Sequence, residues 1–284
     1  MEILRQSKAL DVFPTPVDKI IEFTELKLDK TIDLSQIEKS FIDKMSERVE
    51  EKFRLTMNKI RGILDRQDRT IYLDLSMSFN RQNFVKLHEV GHDALTWQNH
   101  ILQACAENDQ TLDLDALDEF EAEANCFAST TLFQLDRFET EMHRLELGVK
   151  TPLALSKKFG GSFHAAIRRY VECSRHRCAL LVLENVSKKG EVPNCSKRNF
   201  FASHSFTATF GKIDLPNEFG YTWDFVKHYY YKRRLTEKQD ISLVTENGEA
   251  SFTYDFFNNY YNAFVFIRPI GEFNSSKTKI ILQA

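Results

Sequence analysis

The sequence predicts an α+β protein: a helical domain with a small sheet, a helix-turn-helix-like connector, and an aromatic-rich C-terminal domain of strands and helices. Apolar residues recur at helical spacing through most of the first 177 residues, whereas short alternating runs rich in aromatic residues follow Cys178. The 284 residues also exceed one typical domain of about 100 to 200 residues. We therefore expect domains at 1–148, 149–177 and 178–284.

The composition gives no overall attraction to nucleic acid or to anionic membranes. Hydrophobic residues make up 42%, charged residues 28%, and the net charge is −3. The charged start Met1–Lys8 lacks the apolar core of a secretion signal, and no apolar run of about 18 residues occurs. Five cysteines without a C-x-x-C pair argue against a disulfide framework and a thiolate zinc site. We expect a cytoplasmic protein with free thiols and no membrane partner.

The first 63 residues are predicted to be mainly helical scaffold. Thr15 is expected to cap a helix that starts at Pro16 and carries apolar residues on one side, namely Val17, Ile20, Ile21 and Leu26. A second helix is expected from Asp33. The apolar residues between Ile37 and Ile63 then fall mostly four apart, as in a long amphipathic helix.

A strand is predicted at Thr70–Leu75, where apolar and polar residues alternate after the break at 62–68. The strand directly precedes the segment with the chemistry described below. It could capture a peptide by adding it to a free edge, or it could be an ordinary packed strand. The sequence leaves both alternatives open.

The central motif is His88-Glu89-Val90-Gly91-His92, on a helix predicted from Arg81 to Thr96. Residues four apart share a helix face, so both imidazoles can reach one Zn²⁺ ion. Glu89 is then placed to take a proton from a water at the metal, which predicts hydrolysis of an acyl bond. Gly91 inside a helix indicates close approach of a neighbouring segment.

The third zinc ligand is predicted to be Glu121. The metzincin pattern needs glycine at position 95 and histidine at 98, and the chain has Leu95 and Gln98 there. Asn125 lies one turn after Glu121, so its amide can orient a zinc-binding histidine. Glu123 lies about 200° around the helix and is expected to face elsewhere. Close packing on the Gly91 helix is expected from small residues of this segment, Ala122, Ala124 and Ala128.

These motifs resemble the ImmA/IrrE family of zinc metallopeptidases. The resemblance spans roughly residues 15–135 and rests on Arg61–Asp65, Thr70–Leu75, His88–His92 and Glu121–Ala128. It implies a cytoplasmic, gluzincin-like zinc endopeptidase whose protein substrate is a helix-turn-helix repressor, so that cleavage relieves repression. The chain departs from the family at Thr131–Gln134, where relatives carry an L-L-M-P-like end. That departure concerns the wall of the cleft and leaves the ligands untouched.

The connector at 149–177 has the outline of a helix-turn-helix. Thr151-Pro152 is expected to cap a helix at Leu153–Phe159, and Gly160-Gly161 separates it from a second helix at Ser162–Cys173. Relatives in the family carry a similar element. Direct DNA binding and a purely structural connector both fit this pattern.

The C-terminal domain, 178–284, is predicted to be α+β, and the family resemblance implies a sensor or recognition domain that could be GAF-like. Strands are expected at Ala179–Leu183, Phe200–Phe210, Ile241–Val244, Ala250–Tyr254, Phe264–Ile267 and Thr278–Leu282. Glu246-Asn247-Gly248-Glu249 predicts a tight hairpin. The cluster Tyr229–Arg234 fits either base stacking or a solvated amphipathic edge. We expect this domain to control access to the zinc cleft or to present the repressor, or merely to stabilise the peptidase.

Two functions are therefore open. The first is a zinc endopeptidase in which His88, His92 and Glu121 are the zinc ligands and Glu89 is the general base. Asn125 would orient one of the ligand histidines. The second is a DNA-associated regulatory protein with a structural or degenerate zinc site. Intact Glu89 favours the enzyme, because a structural zinc ion has no use for a general base.

Overall fold

The computed structural model describes residues 2–36, 61–98, 100–101 and 114–272. Two compact units are present, one of Met1–Phe138 with Lys157–Ser162 and the other of Glu139–Ser156 with Phe163–Ala284. Along the described residues, no helix combines the length and apolar character that a membrane crossing requires. The long amphipathic helix expected from Ile37 and the strand expected at Thr278–Leu282 lie outside the described residues.

The predicted α+β class is confirmed. The described helices are α1 (Glu2–Gln6), α2 (Val17–Phe23), α3 (Phe79–Ala94), α4 (Leu114–Leu132), α5 (Asp136–His143), α6 (Lys150–Phe159), α7 (Phe163–Glu172), α8 (His204–Phe210) and α9 (Asp224–Tyr230). The described strands are β1 (Lys27–Asp33), β2 (Gly62–Asp65), β3 (Thr70–Leu73), β4 (Ala179–Glu184), β5 (Cys195–Ala202), β6 (Glu218–Phe219), β7 (Leu235–Thr245), β8 (Gly248–Asn258) and β9 (Ala263–Pro269).

The first unit contains a three-stranded sheet in the order β1-β3-β2. β1 pairs with β3 in parallel and β2 pairs with β3 antiparallel. β3 is the predicted strand and has a neighbour on each side. Of the two alternatives, the ordinary packed strand therefore holds for β3, and capture of a peptide at a free edge of β3 does not. Within the described residues, β2 pairs with β3 alone.

Thr15 does not cap α2, contrary to the prediction. The helix begins at Val17, and Pro16 takes the cap position without a side-chain hydrogen bond. The hydroxyl of Thr15 instead donates to the backbone carbonyl of Leu132 at 2.7 Å. It accepts from the side-chain amide Nε2 of Gln134 at 3.0 Å. Gln134 is fully buried and belongs to the segment that departs from the family pattern, so the departure anchors the start of the chain to the end of α4.

One apolar core holds the sheet and these helices together. Val17, Ile20, Ile21 and Leu26 are all buried in it, as predicted, together with Ile71, Leu73, Leu87, Val90, Ala128 and Leu132. The core therefore lies against the buried side of α3 and fixes the position of that helix.

The second unit contains an antiparallel sheet in the order β6-β5-β4-β9-β8-β7. The prediction of one strand at Phe200–Phe210 is wrong in its second half, because Ser203 ends β5 and caps α8 by accepting from the amide of Phe206. The hairpin of β7 and β8 is confirmed. Its loop is Glu246-Asn247 between the paired residues Thr245 and Gly248, with positive φ (+106°) at Gly248.

The two connector helices are present as α6 and α7 with somewhat different ends. α6 starts at Lys150, so Thr151 lies in its first turn rather than at its cap, and its hydroxyl bonds to the carbonyl of Glu146. α7 buries Ile167 and Val171, and the ring of Phe163 contacts Phe264 on β9. Packing on the sheet thus occupies one face of α7. DNA binding and a purely structural connector stay the two alternatives for this element.

Candidate metal centre

α3 brings the two motif histidines together on one face. Their Nε2 atoms lie 3.2 Å apart and the ring centroids 4.7 Å apart, with the planes nearly perpendicular. The side chain of His88 is 14% exposed and that of His92 is 6% exposed. Both rings therefore point to one place at the edge of the protein interior.

Gly91 allows α4 to approach α3, as the sequence predicted. A Cβ atom at this position would lie 3.3 Å from the Cα of Ala124 and 3.2 Å from the ring of Phe127. Ala124 and Ala128 are fully buried in this contact region, whereas Ala122 is exposed and takes no part. The helix–helix contact sets the position of the α4 carboxylates relative to the histidines.

Glu121 completes a group of three possible ligands. Its Oε2 lies 3.2 Å from Nε2 of His88 and its Oε1 lies 3.4 Å from Nε2 of His92. A tetrahedral zinc ion about 2.0–2.1 Å from each donor requires donor-to-donor distances of about 3.3–3.4 Å. The two imidazoles and one carboxylate therefore fit Zn²⁺ in both chemistry and spacing. The Glu121 side chain is 43% exposed, so the group is open to solvent on that side.

Gln98 is the residue that contacts the far side of a motif imidazole. Its Oε1 lies 3.0 Å from Nδ1 of His92, while its Nε2 donates to Oε2 of Glu123 at 2.8 Å and to the carbonyl of Phe120 at 3.3 Å. Because both partners of Nε2 are acceptors, the amide oxygen must face His92. Nδ1 of His92 therefore carries the proton, and the lone pair of its Nε2 faces Glu121 and His88.

Glu123 supports this amide from the surface. Its carboxylate also accepts from the indole of Trp97 at 2.9 Å. Hydrogen bonds from Gln98, and then from Trp97, lower the pKa of Glu123. The charged carboxylate thus holds Gln98 in the orientation that His92 requires.

Asn125 does not have the position that the sequence suggested. Its side chain is exposed, and no described hydrogen bond joins it to His88 or His92. The amide that contacts a motif histidine belongs to Gln98. In the sequence, Gln98 stands out only as a position that lacks the metzincin histidine, and no local pattern indicates its contact with His92.

Glu89 lies against β2. Its side chain is buried, with 4% of the residue exposed. A Cβ atom at Gly62 would lie 3.0 Å from Oε1 of Glu89 and would overlap the side chain of Val85 on the same helix. Only glycine at position 62 lets the β2 backbone come this close without displacing Glu89.

Two comparisons with known proteins found matches to this chain. Residues 43–170 match the model of the IrrE N-terminal-like domain, Peptidase_M78. No curated protein sequence matches the chain. A Mycobacterium tuberculosis transcriptional regulator of known structure has a similar fold, with a TM-score of 0.51 and 12% identity over 94% of this chain and 74% of that chain. The stretch that carries the histidine motif thus matches the IrrE N-terminal-like domain of the Peptidase_M78 model, which agrees with the family that its motifs indicated.

Proposed function

We propose that the chain is a zinc-dependent endopeptidase in which His88, His92 and Glu121 hold the metal and Glu89 is the general base. The observation that carries this proposal is the convergence of two imidazoles from α3 and one carboxylate from α4, with contacts of 3.2–3.4 Å, beside the buried Glu89 of α3. Three ligands with an exposed carboxylate leave room for substrate, as a catalytic zinc site needs.

Zinc, when bound, would polarise the scissile carbonyl and lower the pKa of the attacking water. Glu89 takes the proton from that water and returns it to the leaving amine. Gln98 keeps His92 in the tautomer that offers Nε2 as a ligand. β2 runs beside Glu89, so we infer that β2 rather than β3 pairs with the backbone of a bound peptide.

The family resemblance supports a helix-turn-helix repressor as the protein substrate and the cytoplasm as the place of action. The fold shared with a transcriptional regulator is compatible with a role in gene control. A structural zinc site in a DNA-associated protein is the alternative, and the buried Glu89 together with the solvent-exposed Glu121 favours the enzyme.

Co-expression with a candidate repressor, followed by intact-mass measurement, tests the proposal. We expect a single cut in the repressor and close to one zinc ion per purified chain. Glu89→Gln should keep the zinc but lose cleavage, because an amide cannot accept the proton from water. His92→Ala should lose both the zinc ion and the cleavage activity. Cleavage that persists in Glu89→Gln would refute the assigned roles.

A further inference from the structure

Three of the four exposed tyrosines in the described part of the second unit lie on two neighbouring segments. Tyr231 is 64% exposed, Tyr260 61% and Tyr261 84%. Tyr231 follows α9, and the other two form the turn between β8 and β9. The hydroxyl of Tyr229 donates to the backbone carbonyl of Tyr261 at 3.0 Å, so the two segments form one surface. We call Tyr231, 232–234, Tyr260 and Tyr261 the tyrosine-arginine patch.

The turn that carries Tyr260 and Tyr261 has a fixed backbone. Asn258 accepts from the amide of Tyr260 at 2.7 Å, and Asn259 accepts from the amides of Tyr261 and Asn262. Tyr260 has φ +73°, a conformation that is unusual for a bulky residue and costs free energy. The hydrogen bonds offset that cost, so the two rings are presented from a preorganised turn.

The same surface carries consecutive cations. Lys232, Arg233 and Arg234 are all exposed, and within the described residues none of them forms an ion pair. The guanidinium of Arg234 lies 5.6 Å from the centroid of the Tyr260 ring. These exposed cations give the surface a local attraction for anions, although the chain as a whole has a net charge of −3.

Two further lysines extend the positive charge beside the patch. The amide of Gly190 donates to the hydroxyl of Tyr230 at 2.8 Å, which places the preceding exposed residues, Lys188 and Lys189, near the end of α9. On the other side, Arg198 bonds to Asn262 in the tyrosine turn and also lies 3.5 Å from the carboxylate of Glu184. Further cations thus border the patch, with the charge of Arg198 partly balanced by Glu184.

We propose that the tyrosine-arginine patch binds single-stranded nucleic acid. Exposed rings stack on unpaired bases while neighbouring cations contact the phosphates, and both elements are present here. A duplex hides the faces of its bases, and an acidic peptide has no bases that could stack on the three exposed rings. DNA and RNA share the required chemistry, and the experiment below distinguishes them.

Fluorescence anisotropy of the full chain with labelled oligothymidylate and oligouridylate of about 15 nucleotides tests the proposal. We expect saturable binding that weakens with salt. Tyr231→Leu with Tyr261→Leu should weaken binding about tenfold or more, whereas the matched Phe variants should retain it, because Phe still stacks. The Tyr261 carbonyl that Tyr229 contacts is unchanged in both pairs.

Charge variants supply the second arm. Arg233→Gln with Arg234→Gln should lower the slope of log K against log salt by about 1.4, since each phosphate contact on a single strand contributes about 0.7. Lys212→Gln is the control, because Lys212 is exposed at the other end of β7, beside Glu246. It should change neither affinity nor slope.

A preference for DNA and a preference for RNA would both support the proposal. Either result would show whether the patch accepts deoxyribose or ribose. The proposal is overturned if neither strand binds below about 100 μM at about 50 mM salt. It is also overturned if a duplex or polyglutamate binds as tightly as the single strands. Equal affinities of the Leu and Phe variants would overturn it as well, because the rings would then contribute no stacking.

Discussion

Replacing Gln98 by methionine tests whether the hydrogen bond from His92 to Gln98 contributes to zinc binding. Methionine fills a similar volume but leaves the Nδ1 proton of His92 without its acceptor, 3.0 Å away in the wild type. Gln98 is fully buried and His92 is 5% exposed, so water has little room to replace the amide. Loss of such a contact lowers zinc affinity about 10- to 100-fold, or about 1.4–2.7 kcal/mol. The free energy of unfolding should fall by about 1–3 kcal/mol.

Competition with a chromophoric chelator measures the zinc dissociation constant. Gln82→Ala is a matched control, since the Gln82 amide donates to the carbonyls of Leu75 and Met77 and should not affect zinc. Gln98→Glu combined with Glu123→Gln should bind zinc better than Gln98→Glu alone, because the introduced amide can donate to the introduced carboxylate. Unchanged zinc affinity in Gln98→Met, or no recovery in the double variant, would refute the positioning role.

Two further predictions concern the same site. Gly62→Ala should leave zinc binding intact but lower kcat of cleavage by up to about 100-fold, because the new Cβ overlaps Val85 on the helix of Glu89 and lies within 3.0 Å of Oε1 of Glu89. Unchanged kcat would contradict this. Glu121→Ala should weaken zinc binding more than Glu123→Ala, because Glu121 lies 3.2 Å from an imidazole whereas Glu123 acts through an amide; the reverse order in a chelator titration would exchange their roles.

The sequence was sufficient for features that depend on neighbouring residues. Four-residue spacing alone places His88 and His92 on one helix face, and a glycine between them already indicated the close approach of another helix. The Asn247-Gly248 pair likewise marked the hairpin, although the turn lies one residue earlier than expected. In each case the physical cause is local backbone geometry.

Features that depend on distant contacts could not be read from the sequence. Gln98 reaches Phe120 and Glu123 on another helix, and only the packing of the helices decides that this amide, rather than Asn125, faces an imidazole. β1 has little apolar character and is a strand because β3 pairs with it. That pairing also decides between the two alternatives for β3, because it leaves β3 without a free edge.

The role of 178–284 has to be tested with α7 in place. α7 has ten residues and buries Ile167, Tyr170 and Val171 in the second unit, close to β4 and β5. A helix of this length is marginal in water, and burial of each large apolar side chain contributes about 1.5–3 kcal/mol. We therefore expect a chain truncated after Arg177 to lose α7, which hydrogen exchange would show as rapid exchange over 163–172. Loss of repressor cleavage in that chain could then be caused by the loss of α7, so it would not show that 178–284 controls the peptidase. Retained protection of α7 would contradict this reasoning and make the truncated chain a valid test of control by the C-terminal domain.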